Sequence, residues 1–316
     1  MEKEIDGVIF YYERTDTGIT VIGMYPARGD VLIPSEIDGM PVTSIGAHAF
    51  AHCHDLTSVT IPAGVTSIGT EAFMSCDGLT RVTIPDSVTS IGARAFQGCR
   101  GLTSVTIPAG VTNIEPQTFD GCNSLIDVTI PAGVTSIGYQ AFRNCNGLSS
   151  VTLPDGVTSI GTGAFQCCHG LTSIVIPASV TSIGSRAFLS CIGLMGMTLS
   201  NNVADIGDWA FHGCVSMADV HGFVIVRDTV YDYFGTAQNI TIPDGVTRIA
   251  GLAFEDCDGL TSVTIPASVA SIGAEAFSGC QGLTSVTLPR RFEGTEELNS
   301  AFNDSSPDLT FHFLDE

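Results

Sequence analysis

Cys53-His54-Asp55-Leu56-Thr57-Ser58-Val59-Thr60-Ile61-Pro62-Ala63-Gly64-Val65-Thr66-Ser67-Ile68-Gly69-Thr70-Glu71-Ala72-Phe73-Met74-Ser75 decides the fold, because it is one unit of a repeat. Ala-Phe recurs with Phe at 50, 73, 96, 142, 165, 188 and 211, and Thr118-Phe119 fills the gap, giving a period of 23 residues. The pattern resumes at Phe254 and Phe277, and Ala301-Phe302 is a degraded copy. Three residues after each of the ten good Phe positions stands a cysteine: Cys53, Cys76, Cys99, Cys122, Cys145, Cys168, Cys191, Cys214, Cys257 and Cys280. Self-similarity at such a period marks a stacked array of identical small units.

Within the unit, Val59-Thr60-Ile61 alternates apolar and hydroxyl side chains and is β-branched, which predicts a strand buried on one face. Pro62 cannot donate to a ladder and ends that strand. Ala63-Gly64 turns the chain, Val65 to Ile68 form a second short extended piece, and Gly69 breaks it. Thr70 to Ser75 is expected to form roughly one helical turn that carries Phe73 inward. A single coil buries too little to fold alone, so stacking must cover both of its faces. Strands stacked at about 4.8 Å predict a solenoid with a long parallel sheet.

The pattern Leu56-x-x-Val59-x-Ile61 resembles the leucine-rich-repeat strand. The longer string Cys-x-x-Leu-x-x-Val-x-Ile-Pro-x-x-Val-x-x-Ile-Gly-x-x-Ala-Phe is similar to the BspA-like class of bacterial leucine-rich repeat, from about Val31-Leu32-Ile33-Pro34 to Pro289. The resemblance implies a right-handed superhelix with the parallel sheet on its concave face, cell-surface exposure, and adhesion to host or matrix proteins or to other cells. The expected layout is an N-terminal cap at 1–45, repeats at 46–217 and 241–288, an irregular aromatic repeat at 218–240, and a C-terminal cap at 289–316.

The composition fits this reading. Of 316 residues, 44% are hydrophobic and 14% charged, which suits a folded chain and excludes bulk disorder. With 33 acidic and 12 basic side chains the net charge is −21, which argues against nucleic acid or an anionic membrane as the main partner. No apolar run is long enough to span a bilayer, so membrane insertion is not expected. Met1 to Gly7 is acidic and lacks the apolar centre of a secretory signal. The expectation is therefore a surface or secreted protein whose leader has been removed, or an intracellular one if the chain is full length.

Ten cysteines in one register should stand above one another and point inward in parallel, a poor arrangement for disulfides, which need facing thiols with a specific dihedral. They are read as reduced structural thiols that pack and donate weakly to backbone carbonyls. Cys167 lies outside the ladder and is the expected reactive thiol. His48-Ala49-Phe50-Ala51-His52-Cys53-His54 is the one stretch that looks like a metal constellation. Its histidines fall at variable positions, filled one repeat later by Glu71, Ser75 and Asp77, so they read as solvated surface residues and no cofactor or metal is expected. No nucleophile elbow, phosphate loop or HExxH is present, so no enzyme is expected.

By alternation, Ser58 and Thr60 face away from the core. Their equivalents form two rows of the strand face: Thr60, Thr83, Thr106, Thr129, Thr152, Val175, Thr198, Thr241, Thr264 and Thr287 in one, and Ser58, Arg81, Ser104, Asp127, Ser150, Ser173, Gly196, Asn239, Ser262 and Ser285 in the other. These rows are either good exposed strand residues or a repetitive, hydroxyl-rich binding surface. The array breaks once, because Phe211 to Phe254 spans 43 residues. Alternation around Arg227-Asp228 predicts two extended strands and a turn there. Trp209, Tyr231, Tyr233 and Phe234 make the break a second candidate binding site, or else cap and pack an irregular coil. The sequence-level reading is a monomeric, non-enzymatic module that binds a protein or cell-surface macromolecule, with bacterial surface adhesion as its setting. The alternatives are an intracellular scaffold or secreted effector and, third, a metal protein or enzyme at His48–His54.

Overall fold

A computed structural model describes residues 1–315. The chain forms two compact units, Met1–Gly207 and a second that begins at Asp208. Each is built from coils in the 23-residue register, and the fold is a parallel β-solenoid as the repeat requires.

In the first unit the Val-x-Ile segments become strands such as Ser104–Thr106 and Asp127–Thr129, paired in parallel with Ser104 opposite Asp127 and Thr106 opposite Thr129. A second parallel ladder runs through the Ser-Ile pairs, with Ser136 opposite Ser159 and Ile137 opposite Ile160. An antiparallel meander of Glu2–Ile5, Val8–Thr15 and Gly18–Tyr25 precedes the coils and joins this second ladder through Met40–Ile45. Asp38 braces the meander, accepting hydrogen bonds from Tyr12, Lys3 and Arg14. Leu56, Val59, Ile61, Val65, Ile68 and Phe73 are all buried, so these apolar positions of the unit face one core.

The third corner corrects the expectation of a helical turn. Ala72 N–H bonds Gly69 O at 3.3 Å, Met74 bonds Glu71 at 3.1 Å and Cys76 bonds Phe73 at 3.3 Å, a run of tight turns. The intervening amides leave the coil: Glu71 N–H reaches Ala93 O at 3.0 Å, Phe73 reaches Ala95 at 2.8 Å and Ser75 reaches Gln97 at 2.7 Å. A helix would send its amides along its own axis and offer none of these to the next coil. The geometry requires two left-handed residues per coil, here Glu71 at φ 58° and Ser75 at φ 57°. All ten coils repeat it, with positive φ at His48, Glu71, Arg94, Gln117, Gln140, Gly163, Arg186, Trp209, Leu252 and Glu275, and again four residues later. An α-helix does occur at the degraded copy, Glu296–Ala301, where the Thr295 side chain accepts from Leu298 N–H.

The first left-handed position carries a side-chain row across the coils. His48 Nδ1 lies 3.1 Å from Glu71, Arg94 donates to both Glu71 (3.1 Å) and Gln117 (2.9 Å), and Gln117 donates to Gln140 at 3.2 Å. Three residues further on, the buried Asp120 accepts two hydrogen bonds from Arg143, at 2.9 and 2.8 Å, and one from Gln97 at 3.0 Å. Gly69 serves close approach instead of turning, since a Cβ there would sit 2.5 Å from Ala47 N of the preceding coil.

Inside this corner the phenylalanines form a column. From Phe50 to Phe188 successive ring centroids are 5.0 to 5.6 Å apart and nearly parallel. Beside them, Cys76, Cys99, Cys122, Cys145, Cys168 and Cys191 each donate Sγ–H to the carbonyl of the phenylalanine one coil earlier, at 3.0 to 3.2 Å. That carbonyl also accepts its own coil's Cys N–H, as Phe50 O does from Cys53 at 3.2 Å. All eleven cysteines are free thiols, and burial raises the pKa of Cys122, Cys145 and Cys168, which keeps them protonated donors.

Two substitutions test this architecture by urea denaturation. Phe142→Ala removes one ring from the column and should cost about 3–5 kcal/mol. Cys167→Gly should be stabilising by roughly 0.5–1 kcal/mol, because a left-handed backbone (φ 58°) penalises any residue with a Cβ.

Candidate functional site: the strand face and the break in the array

On the strand face of the first unit, Thr60, Thr83, Thr106 and Thr129 are exposed, each flanking a buried valine on its strand. Thr60 stands opposite Thr83 and Ser58 opposite Arg81 in the parallel register. Ser58, Thr60, Arg81 and Thr83 share a shallow depression of about 360 Å³ with Asp30 and Leu32. Asp30 accepts from Thr57 and Ser58, both at 2.7 Å, and these bonds hold its carboxyl below the ordinary carboxylate range. Ser58 is therefore half-buried with its hydroxyl occupied, whereas Arg81, Asp127 and the threonines remain open to solvent. Leu32 and Val175 are 70% and 61% exposed on the same face, so it carries apolar as well as hydroxyl groups.

The His48–His54 stretch does not converge. His48 faces Glu71 and His54 faces Asp77, each at 3.1 Å, and the His52 and His54 rings are 6.1 Å apart. Among the described residues no group of three His, Cys, Asp or Glu is placed to hold a metal.

In the second unit the break is a hairpin, Phe223–Val226 and Thr229–Tyr233, turning at Arg227-Asp228 as the alternation predicts. It replaces a coil. Thr229 and Val230 pair in parallel with Arg248 and Ile249, which continues the second ladder. The expectation of an aromatic binding patch on Tyr231 and Tyr233 is corrected, because both are buried, at 2% and 5% exposure. The physical reason is the column: the hairpin supplies no phenylalanine in register. Tyr231 instead meets Phe211 edge-on at 5.2 Å, and Tyr233 meets Phe254 at 5.4 Å. Trp209 is half-buried, while Phe234 is exposed.

Asp232 was missed by the sequence reading. In regular coils the amide at the second left-handed position donates to a backbone carbonyl of the next coil, as Gly98 does to Asp120 O at 2.7 Å. At Gly213 no such coil follows, and the Asp232 carboxylate takes its place, accepting from Gly213 N–H at 2.7 Å. Its other oxygen accepts from Tyr233 N–H at 2.7 Å, and His212 Nδ1 lies 3.3 Å away. Burial pushes the Asp232 carboxyl up from its ordinary value, against the pull of these donors. The only signal for it in the sequence is a lone acid between two tyrosines in an otherwise apolar strand.

A cleft of about 820 Å³ opens beside the hairpin. Val215, Val220 and Phe234 line it, with Asp219, Asp244 and the strand Asn239–Thr241.

The BspA type leucine rich repeat region matches over residues 43–172, 117–223 and 224–312. The chain belongs to this family. Among solved structures, a leucine-rich-repeat protein of T. pallidum is 30% identical, covering 67% of this chain and 89% of its own, with a TM-score of 0.50. A leucine-rich-repeat protein from Eubacterium ventriosum is 23% identical over 98% of this chain and 85% of its own, TM-score 0.52. The pneumococcal vaccine antigen PcpA is 16% identical over all of this chain and 88% of its own, TM-score 0.51. The last two show the fold alone. No curated protein sequence matches. BspA-type repeats are suited to protein interaction, and no helix among the described residues is long and apolar enough to cross a membrane.

Asp232→Asn tests the replacement of a BspA-type coil by a side chain. A carboxyl whose folded pKa is raised favours folding at low pH, and its contribution declines as pH rises from the ordinary value of about 3.9 through the folded one. The amide cannot ionise, yet its oxygen can still accept from Gly213. Relative to wild type, the variant should gain stability in urea melts as pH rises above about 4. A difference that is flat across this range would place the ionisation elsewhere.

Proposed function

We propose that this chain is a non-enzymatic protein-binding module of the bacterial cell surface, or a secreted one, that mediates adhesion through the strand face. The observation that supports it most directly is the row of exposed threonines at 60, 83, 106 and 129, with Arg81 and Asp127 as sparse charges and Leu32 and Val175 as exposed apolar groups. Ligand contacts repeated at strand spacing are individually weak and gain strength by multiplicity. The face is also nearly free of like charge, although the whole chain carries −21. An acidic protein approaching an acidic cell or matrix surface is repelled, and a neutral face lowers that cost at the point of contact. The surface setting comes from the family resemblance.

Introducing charge into the row should abolish binding without disturbing the core, because these side chains point to solvent. The triple variant Thr83→Glu, Thr106→Glu, Thr129→Glu should bind immobilised matrix proteins and intact host cells at least about tenfold more weakly than wild type, with an unchanged circular dichroism spectrum. Undiminished binding by the folded variant would remove the strand face of the first unit from the function.

A further inference from the structure

The second unit contains a sheet edge inside the cleft at the break. Its first-ladder sheet runs Asn239–Thr241, Ser262–Thr264, Ser285–Pro289 and Thr310–Leu314, so Asn239–Thr241 is the terminal strand. Ser262 N–H bonds Gln238 O at 3.1 Å and Ile242 N–H bonds Thr264 O at 2.9 Å, so residues 238, 240 and 242 turn their backbone groups toward the neighbouring strand. In a parallel ladder the intervening residues turn theirs the other way. The N–H and C=O groups of Asn239 and Thr241 therefore face away from Ser262–Thr264. In the coils of Thr83 and Thr129 that side is occupied: Thr83 O accepts from Ile61 N–H, and Thr129 O from Ile107 N–H, both at 3.1 Å. No backbone donor reaches Thr241 O in the same way among the described residues.

The edge lies in the 820 Å³ cleft. Val220, 95% exposed, and Phe234, 40% exposed, provide apolar contact beside it. Asp219 and Asp244 line it, and no lysine or arginine does. The buried Tyr233 hydroxyl also borders the cleft and has no hydrogen-bond partner among the described residues.

We propose that this edge takes up an extended segment of a partner protein as an added strand, the segment carrying alternating apolar side chains and at least one Lys or Arg. Its backbone bonds Asn239 and Thr241, its apolar side chains sit against Phe234 and Val220, and its cation answers Asp219 and Asp244. Main-chain bonding supplies affinity and the flanking groups supply selectivity. This site does not depend on the strand face of the first unit, so either can fail alone.

The probe is a fluorescein-labelled acetyl-Lys-Val-Thr-Val-Thr-Val-Lys-amide, with two comparison peptides: one N-methylated at alternate residues, the other carrying Glu in place of Lys. Fluorescence anisotropy with the full chain should show binding of the probe and at least about tenfold weaker binding of both comparison peptides, since one cannot form the ladder and the other opposes the aspartates. Hydrogen exchange should show the Asn239 and Thr241 amides slowing when the probe is added. Thr241→Pro deletes one outward N–H at an edge where proline is tolerated, and should lose the probe, whereas Thr241→Val should keep it. If Thr241→Pro does not fold, the exchange measurement on wild type decides. Equal binding of the N-methylated peptide, or undiminished binding by folded Thr241→Pro, overturns the proposal. So does slowing of the two amides with protein concentration alone, which would assign the edge to a second copy of this chain.

Discussion

No coil of this protein satisfies its own backbone. Roughly half of the amides in each corner point at the next coil, and both ladders are made only between coils. A buried amide left without a partner costs about 1–3 kcal/mol, so the stack must continue or be terminated by something else. The antiparallel meander stands before the first coils, and the Glu296–Ala301 helix and the Thr310–Leu314 strand follow the last regular one. The cysteine column belongs to the same constraint. The thiols of Cys76, Cys99, Cys122, Cys145, Cys168 and Cys191 each give a second donor to a phenylalanine carbonyl already fixed by its own coil, tying consecutive coils together where no strand can form.

The break shows how far that constraint can be met by other means. The hairpin keeps the second ladder, loses the first, and rebuilds the corner from side chains. Asp232 imitates a carbonyl, and Tyr231 and Tyr233 stand in for a missing phenylalanine, one against each neighbour. A side chain can substitute at a point, but it cannot restore a row of backbone groups. The lost strand is therefore felt as an open edge and a cleft.

The core of each coil is legible in the sequence because burial there follows strict alternation: Leu56, Val59, Ile61, Val65, Ile68 and Phe73 read directly as inward positions. The corner is misread as helical because its turn residues are chemically ordinary. Glu71, Arg94 and Gln117 all favour helices, and tertiary hydrogen bonding overrides that preference. Glycine at 98, 121, 213 and 279, aligned two residues after Phe, is the signal for a left-handed position. Tyr231 and Tyr233 are misread because alternation in Thr229–Tyr233 implies one wet face, whereas the hairpin is covered on both sides. Exposure of the threonine row is legible from alternation, but its ligand is not, since repetition carries no information about what it repeats toward.

Trp209 has a consequence of a different kind. It is the only tryptophan in the chain, held at φ 59° in the coil that precedes the hairpin, with its indole beside Gly251, where a Cβ would come within 3.6 Å of Nε1. Emission excited at the long-wavelength edge, where indole absorbs and tyrosine does not, therefore originates at one point, the coil next to the break. Fluorescence follows the opening of that coil, while far-ultraviolet dichroism averages over every ladder. In a stack held only by nearest neighbours, the two signals need not change together, and their separation along a denaturant titration gives the cooperativity of the array without any label.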